Sequence, residues 1–162
     1  MPELRPLSAL DRDYLERAVA LAASAREHGN HPFGALLVTA AGEVVEAENT
    51  VVTGNDPTGH AETNLVRLAA STLTQRQLDS STLYTSTEPC AMCSGAIYWA
   101  GIPRVVFDLS ETALAGLTAG NPDHPTLALP SRELFARGSR EVDVWGPLGS
   151  PAAVAVHDGF WV

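Results

Sequence analysis

Between Ser8 and Gly29 the apolar residues recur at three- and four-residue steps, so that Leu10, Tyr14, Ala18, Leu21 and Ala25 fall on one face of a helix. Ser8 caps that helix with Asp11 completing a capping box, and Gly29 ends it. The period then shortens. "FGALLV" (Phe33 to Val38) and "EVVEAEN" (Glu43 to Asn49) flank "TAAG", a hairpin turn closing on Gly42. "HAETNLVRLAAST" returns to helical spacing with Ala61, Leu65, Leu68 and Ala69 on its apolar face. "STLYTS" is a short strand, "CAMCSGAIYWAG" a helix that stops at Gly101, and "RVVFD" a buried strand. The order α-β-β-α-β-α-β predicts an α/β fold, a sheet held between helix layers.

The pattern weakens after Phe107. "TAGNPDHPTLALPSRE" is rich in Pro, Gly and Asn and is expected to be mainly loop. "EVDVWG" is a candidate edge strand and "SPAAVAVHDGFWV" a short terminal helix or tail. No second domain is visible. The expectation is one domain over 1–162, in which 108–162 is the less defined part.

Composition narrows the functional classes. The chain has 162 residues, 45% hydrophobic and 18% charged, with no apolar run long enough for a bilayer and no signal-peptide layout at its start; a cytoplasmic protein is expected. Its formal net charge is −9, and the ten Lys and Arg form no basic stripe. A phosphate backbone is a poor partner for such a surface, whereas a small neutral molecule is not.

The only two cysteines stand three positions apart in "TEPCAMC". A redox pair, half of a structural zinc knot and part of a catalytic metal site all use this spacing. On a helix, Cys90 and Cys93 share one face and can grip one ion, and the helix N-terminus stabilises thiolates. A closed knot would need two more ligands, and no HxxxH pair exists among His28, His31, His60, His124 and His157. Thirty residues upstream, "NDPTGHAETNLVR" opens another helix on His60, with Glu62 two residues on. One His and two Cys make three protein ligands and leave a fourth position for water, the arrangement of a catalytic zinc. A carboxylate beside that position is a proton carrier for hydrolysis.

"HAE" at 60–62 and "EPCAMC" at 88–93 resemble the cytidine-deaminase-like zinc deaminase superfamily, and the likeness runs in unbroken order from "PFGALLV" to "RVVF". The resemblance implies a three-layer α-β-α fold around a five-stranded mixed sheet. It also implies one Zn2+ held by His60, Cys90 and Cys93, Glu62 as proton shuttle, and substrate contact from the backbone of Ala61. Within the superfamily, Asn49, Phe33 and Trp99 resemble base-binding residues of guanine deaminases, and "LYTSTEPCAMCSGAIYWAGIPRVVF" is most similar to that branch. Guanine is therefore the leading candidate, with a cytosine or nucleoside deaminase as the alternative and a tRNA adenosine deaminase disfavoured by the charge. A non-enzymatic zinc scaffold would have no use for Glu62. Guanine deaminases carry a further acid after the last core strand; Asp108 and Glu111 lie near but not in clear register. They also close their site with a C-terminal lid exchanged across a homodimer, a role implied here for Trp161 and its neighbour Phe160.

Overall fold

The structure, a computed structural model, describes residues 6–162. Helix α1 (Ala9–Glu27) begins on the Ser8–Asp11 capping box, both reciprocal hydrogen bonds being present. Its buried face holds the expected Ala18 and Ala25 together with Leu15, Val19 and Ala22; the expected Tyr14 and Leu21 pack half-buried against the same core, and Leu10 is exposed. Asp11, a buried carboxylate at the helix start, turns toward its partners on the sheet.

Strands β1 (Gly34–Val38) and β2 (Val44–Glu48) form the expected hairpin, with Gly42 at positive φ in the turn. Helix α2 (Ala61–Thr72) buries Ala61, Leu65 and Ala69 but leaves Leu68 exposed. A single helical turn, α3 (Gln75–Leu78), follows on its own Thr74 capping box. Then come β3 (Thr82–Thr87), α4 (Ala91–Ala100), which ends on left-handed Gly101, and β4 (Arg104–Leu109). The C-terminal third holds α5 (Glu111–Thr118), α6 (Ser131–Ala136), the edge strand β5 (Asp143–Trp145) and α7 (Pro151–Ala155). Residues 119–130 are loop as expected; α3, α5 and α6 have no counterpart in the sequence reading.

The sheet is five-stranded and mixed, in the order β2-β1-β3-β4-β5. β1 is antiparallel to β2 and β3, whereas β3, β4 and β5 run parallel. Strand alternation sorts its side chains into two cores. Leu36, Tyr84 and Val106 meet Leu15 and Ala18 of α1 on one face. Ala35, Leu37, Leu83, Val105 and Phe107 meet Leu65, Ala69 and Ile97 of α2 and α4 on the other. This is the three-layer architecture.

Two features fix how the layers lie. At Gly34 an added Cβ would fall 2.5 Å from the Ala22 nitrogen and the Leu21 Cβ, so only glycine lets β1 approach α1 this closely. Asp11 ties α1 to the sheet: Tyr84 donates to its Oδ1 at 2.7 Å and Arg104 at 3.0 Å, while Ser8 donates to Oδ2 at 2.8 Å from both its N–H and its hydroxyl. Burial acts against that charge, but the hydrogen bonds from Arg104, Tyr84 and Ser8 prevail and hold its pKa far below the usual carboxylate range.

Candidate active site

α2 and α4 pack side by side and start at the same end of the sheet, where β3 finishes. His60 and Cys90 occupy their two N-cap positions, with extended backbones, and neither side chain caps its own helix. Both are thus free to bind something else. Cys93, buried in the first turn of α4, points to the same spot. His60 Nδ1 lies 3.5 Å from Cys90 Sγ and 3.6 Å from Cys93 Sγ. A tetrahedral zinc, with bonds of about 2.3 Å to sulfur and about 2.0 Å to nitrogen, sets such a pair roughly 3.6 Å apart. The residues therefore fit the ion. Among the described residues, no other group of three His, Cys, Asp or Glu gathers its ligand atoms this closely.

The electrostatics agree with that donor set. Hydrogen bonding from Cys93, and then from His60, pulls the Cys90 thiol down to about 4 despite its burial. Cys93 moves the opposite way, pushed up by the adjacent Cys90 and by burial. Its Sγ also lies 3.2 Å from the Thr63 hydroxyl. His60 is raised, first by its hydrogen bond to Cys90.

Glu62, in the first turn of α2, is 5% exposed, and burial raises its pKa. Its Oε1 is 2.6 Å from the Thr85 hydroxyl, which is also 2.9 Å from the Thr87 carbonyl oxygen. A hydroxyl has one hydrogen to donate. When Glu62 is ionised, Thr85 donates to it; when Glu62 carries a proton, it can donate to Thr85, which then turns to the Thr87 carbonyl. Either charge state of Glu62 finds a partner. A group that must take up and release a proton needs such a setting.

The sequence pattern of the cytidine and deoxycytidylate deaminase zinc-binding region matches residues 8–109. The chain belongs to that family. It is 43% identical over 155 residues, 96% of its length and 94% of the relative's, to a protein of Schizosaccharomyces pombe named a probable cytosine deaminase. It is 48% identical over 99 residues, 60% of its length and 63% of the relative's, to the guanine deaminase of Bacillus subtilis. Among solved structures, a guanine deaminase from Nitrosomonas europaea superposes with a TM-score of 0.71 at 26% identity, covering 96% of this chain and 86% of that one. The protein is a zinc deaminase, a hydrolase of carbon–nitrogen bonds in cyclic amidines.

Around the triad, the deaminase holds the expected residues to different degrees. Asn49 is buried; its Oδ1 accepts from the Val51 N–H at 3.0 Å, an Asx turn, and its Nδ2 has no hydrogen bond among the described residues. Ala61 is buried at the first position of α2, where helix geometry leaves its N–H without an intrahelical partner. The segment leading into His60 is stitched by Asn64, whose Nδ2 donates to the Glu48 carbonyl and the Thr50 hydroxyl, each at 2.9 Å. No helix of the described residues is long and apolar enough to cross a membrane.

Phe33 and Trp161 meet, ring centroids 6.0 Å apart, within the same chain. Trp99 does not join them. It is 82% exposed with its ring edge-on to Tyr98, roughly 13 Å along α4 from Cys90 at 1.5 Å per residue. The α4 register that turns Cys93 and Ile97 inward turns Met92 and Trp99 outward.

Asp108 and Glu111 separate cleanly. Asp108 accepts from the Ser150 N–H at 2.8 Å and its hydroxyl at 2.7 Å, fastening the end of β4 to the start of α7. At 2% exposure, with both oxygens engaged by Ser150, it is held in a structural role. Glu111 gives its N–H to Glu88 Oε2 at 3.0 Å, yet its own Oε2 is buried without a partner. Burial, with Glu88 and Cys90 nearby, raises its pKa to about 7. Glu88 itself ties three segments together, since its Oε1 also accepts from the Ser131 N–H at 2.9 Å and hydroxyl at 2.8 Å. Periodicity and ligand spacing do not single out Thr85, Glu88 or Asn64. Glu88 stands in the quoted motif, and strand alternation puts Thr85 on the α2 side with Leu83; Asn64 gave no signal.

Proposed function

We propose that this deaminase removes the exocyclic amine of a free nucleobase, with cytosine the first substrate and guanine the second. The observation that carries the chemistry is Glu62, buried in the first turn of the helix that presents His60 and matched by Thr85 in both protonation states. His60, Cys90 and Cys93 would hold the zinc. Bound there, zinc supplies the Lewis acidity that brings the ionisation of a water toward neutrality. Glu62 accepts the proton of the attacking water and returns protons to the ring nitrogen and the departing amine. The amine leaves as ammonia and a carbonyl replaces it.

The choice of base follows the extent of the likenesses. The probable cytosine deaminase matches over 155 residues, which extends well into the C-terminal third, whereas the guanine deaminase matches over 99. The second reading is favoured by the higher identity within those 99 residues. A free base, not a polynucleotide, suits the −9 charge and the Trp161 tail, which folds onto Phe33 as a lid from within the chain. Met92 and Trp99 form an exposed apolar stripe on α4, and we assign it to a homodimer contact. Sedimentation as a monomer would remove that assignment.

The deciding experiment is ammonia release by zinc-loaded protein from cytosine, guanine, adenine and their nucleosides, with Glu62→Ala as control. Glu62-dependent turnover of a free base is the expected result. Turnover of nucleosides alone, or of none of the panel, would sink it.

A further inference from the structure

Trp161 is the hub of an aromatic cluster. Its ring meets His124 at 4.6 Å, Phe160 at 4.8 Å, His31 at 5.6 Å, and Phe33 and His157 at 6.0 Å. His31 and His124 touch each other edge to face at 5.7 Å. The three histidines differ in what they do. His157 is committed: its Nδ1 accepts from the indole N–H of Trp161 at 3.1 Å, and burial depresses its pKa to about 4, so that acceptor persists at neutral pH. Asn121 fixes the same tryptophan from the other side, donating to its carbonyl at 3.0 Å. His31 and His124, by contrast, have no hydrogen bond at any ring nitrogen among the described residues.

Their place is set by the sheet. β1 runs antiparallel to β3 with Ala35 opposite Thr85, and Gly34 N–H donates to the Ser86 hydroxyl. The start of β1 therefore lies beside the end of β3, and β3 runs directly into Glu88, Pro89 and Cys90. His31, three residues before Gly34, is therefore on the side of the sheet end from which the metal ligands project, near enough to His60 for their charges to interact.

We infer that His31, backed by His124 and Trp161, reads the substrate's cyclic amide edge, N–H beside C=O, as a specificity-determining residue. This rests on the base-deaminase reading above. If the wall served only for packing, phenylalanine or leucine would fill it equally well. Two imidazoles whose ring nitrogens have no hydrogen bond among the described residues instead offer polar atoms to a ligand, beside the aromatic cluster. A planar base held beside this wall presents in its own plane the complementary donor and acceptor. Cytidine, with its sugar on the ring nitrogen of that edge, lacks the N–H.

The test compares the unaltered protein with His31→Phe, which keeps a ring against Trp161 and removes both nitrogens, and with His31→Gln, which restores a donor and an acceptor. Zinc content and thermal midpoint should stay unchanged in both. For the base that is turned over, KM should rise by about tenfold or more in His31→Phe while kcat stays within about threefold, and His31→Gln should recover part of the loss. Binding of the oxo product, followed by tryptophan fluorescence, should weaken in parallel. Turnover of a base with unchanged KM and product affinity in His31→Phe overturns the wall alone. No turnover of any base by the unaltered protein overturns the deaminase reading and the wall with it.

Discussion

Replacing Thr85 with valine removes one hydroxyl and keeps the shape of a fully buried side chain. The lost contact is the 2.6 Å hydrogen bond to Glu62 Oε1. Hydrogen bonds to a charged group contribute about 1.5–3 kcal/mol when both partners are buried. That interaction favours the ionised form of Glu62, so losing it raises the pKa of a carboxyl that burial has already raised. A base that is protonated more of the time at neutral pH works more slowly. At about 1.4 kcal/mol per tenfold, kcat at pH 7 should fall by about 10- to 100-fold. The acid limb of the pH–rate profile should move to higher pH, with activity partly recovered on the alkaline side. Folding should weaken too, by about 1–3 kcal/mol, because buried Glu62 Oε1 is left without its donor. The assay is kcat against pH from 5 to 9 on zinc-loaded protein, with metal content measured for each variant. An unshifted acid limb in a fully loaded Thr85→Val protein would refute the reasoning.

Cys93→Ser should abolish stoichiometric zinc, measured by elemental analysis, and zinc affinity in the unaltered protein should strengthen as pH rises, because the raised Cys93 thiol must give up its proton to ligate. Asp11→Ala should cost about 3–5 kcal/mol in denaturant unfolding by stranding Arg104 and Tyr84. In the unaltered protein Asp11 has a depressed pKa, so its stabilisation is present above about pH 4 and fades as pH falls; Asp11→Ala should flatten that acid dependence. Glu111 works with the opposite sign. Its pKa of about 7 favours the neutral form in the fold, so stability declines as pH rises toward 7, and Glu111→Gln should gain about 1 kcal/mol at pH 8 relative to pH 4. Truncation after Gly159 should raise KM more than it lowers the thermal midpoint, which checks the tail as a lid.

Much of the metal site could be read from the chain alone because each part is local. A helix start places its N-cap and first-turn residues without reference to the rest of the fold, so "HAE" and "PCAMC" specified three ligands and a carboxylate in advance. The Ser8–Asp11 capping box and the hairpin closing at Gly42 were legible for the same reason. α5 and α6 were not, being eight and six residues long and set among Gly and Pro. Their starts depend on Glu88, which lies 23 and 43 positions away.

The sequence by itself determined the donor set and the chemistry it can perform. Only the tertiary structure decided which residues serve them. It captured Asp108 with Ser150, left one carboxylate oxygen of half-buried Glu111 enclosed without a partner, and turned Trp99 outward. It also brought His31 and His124, far away in the chain, against Trp161 and its near neighbour His157. Periodicity reports which face of one element is apolar; it carries no record of which elements meet. Those partnerships arise when the packed layers bury polar groups that must then find one another.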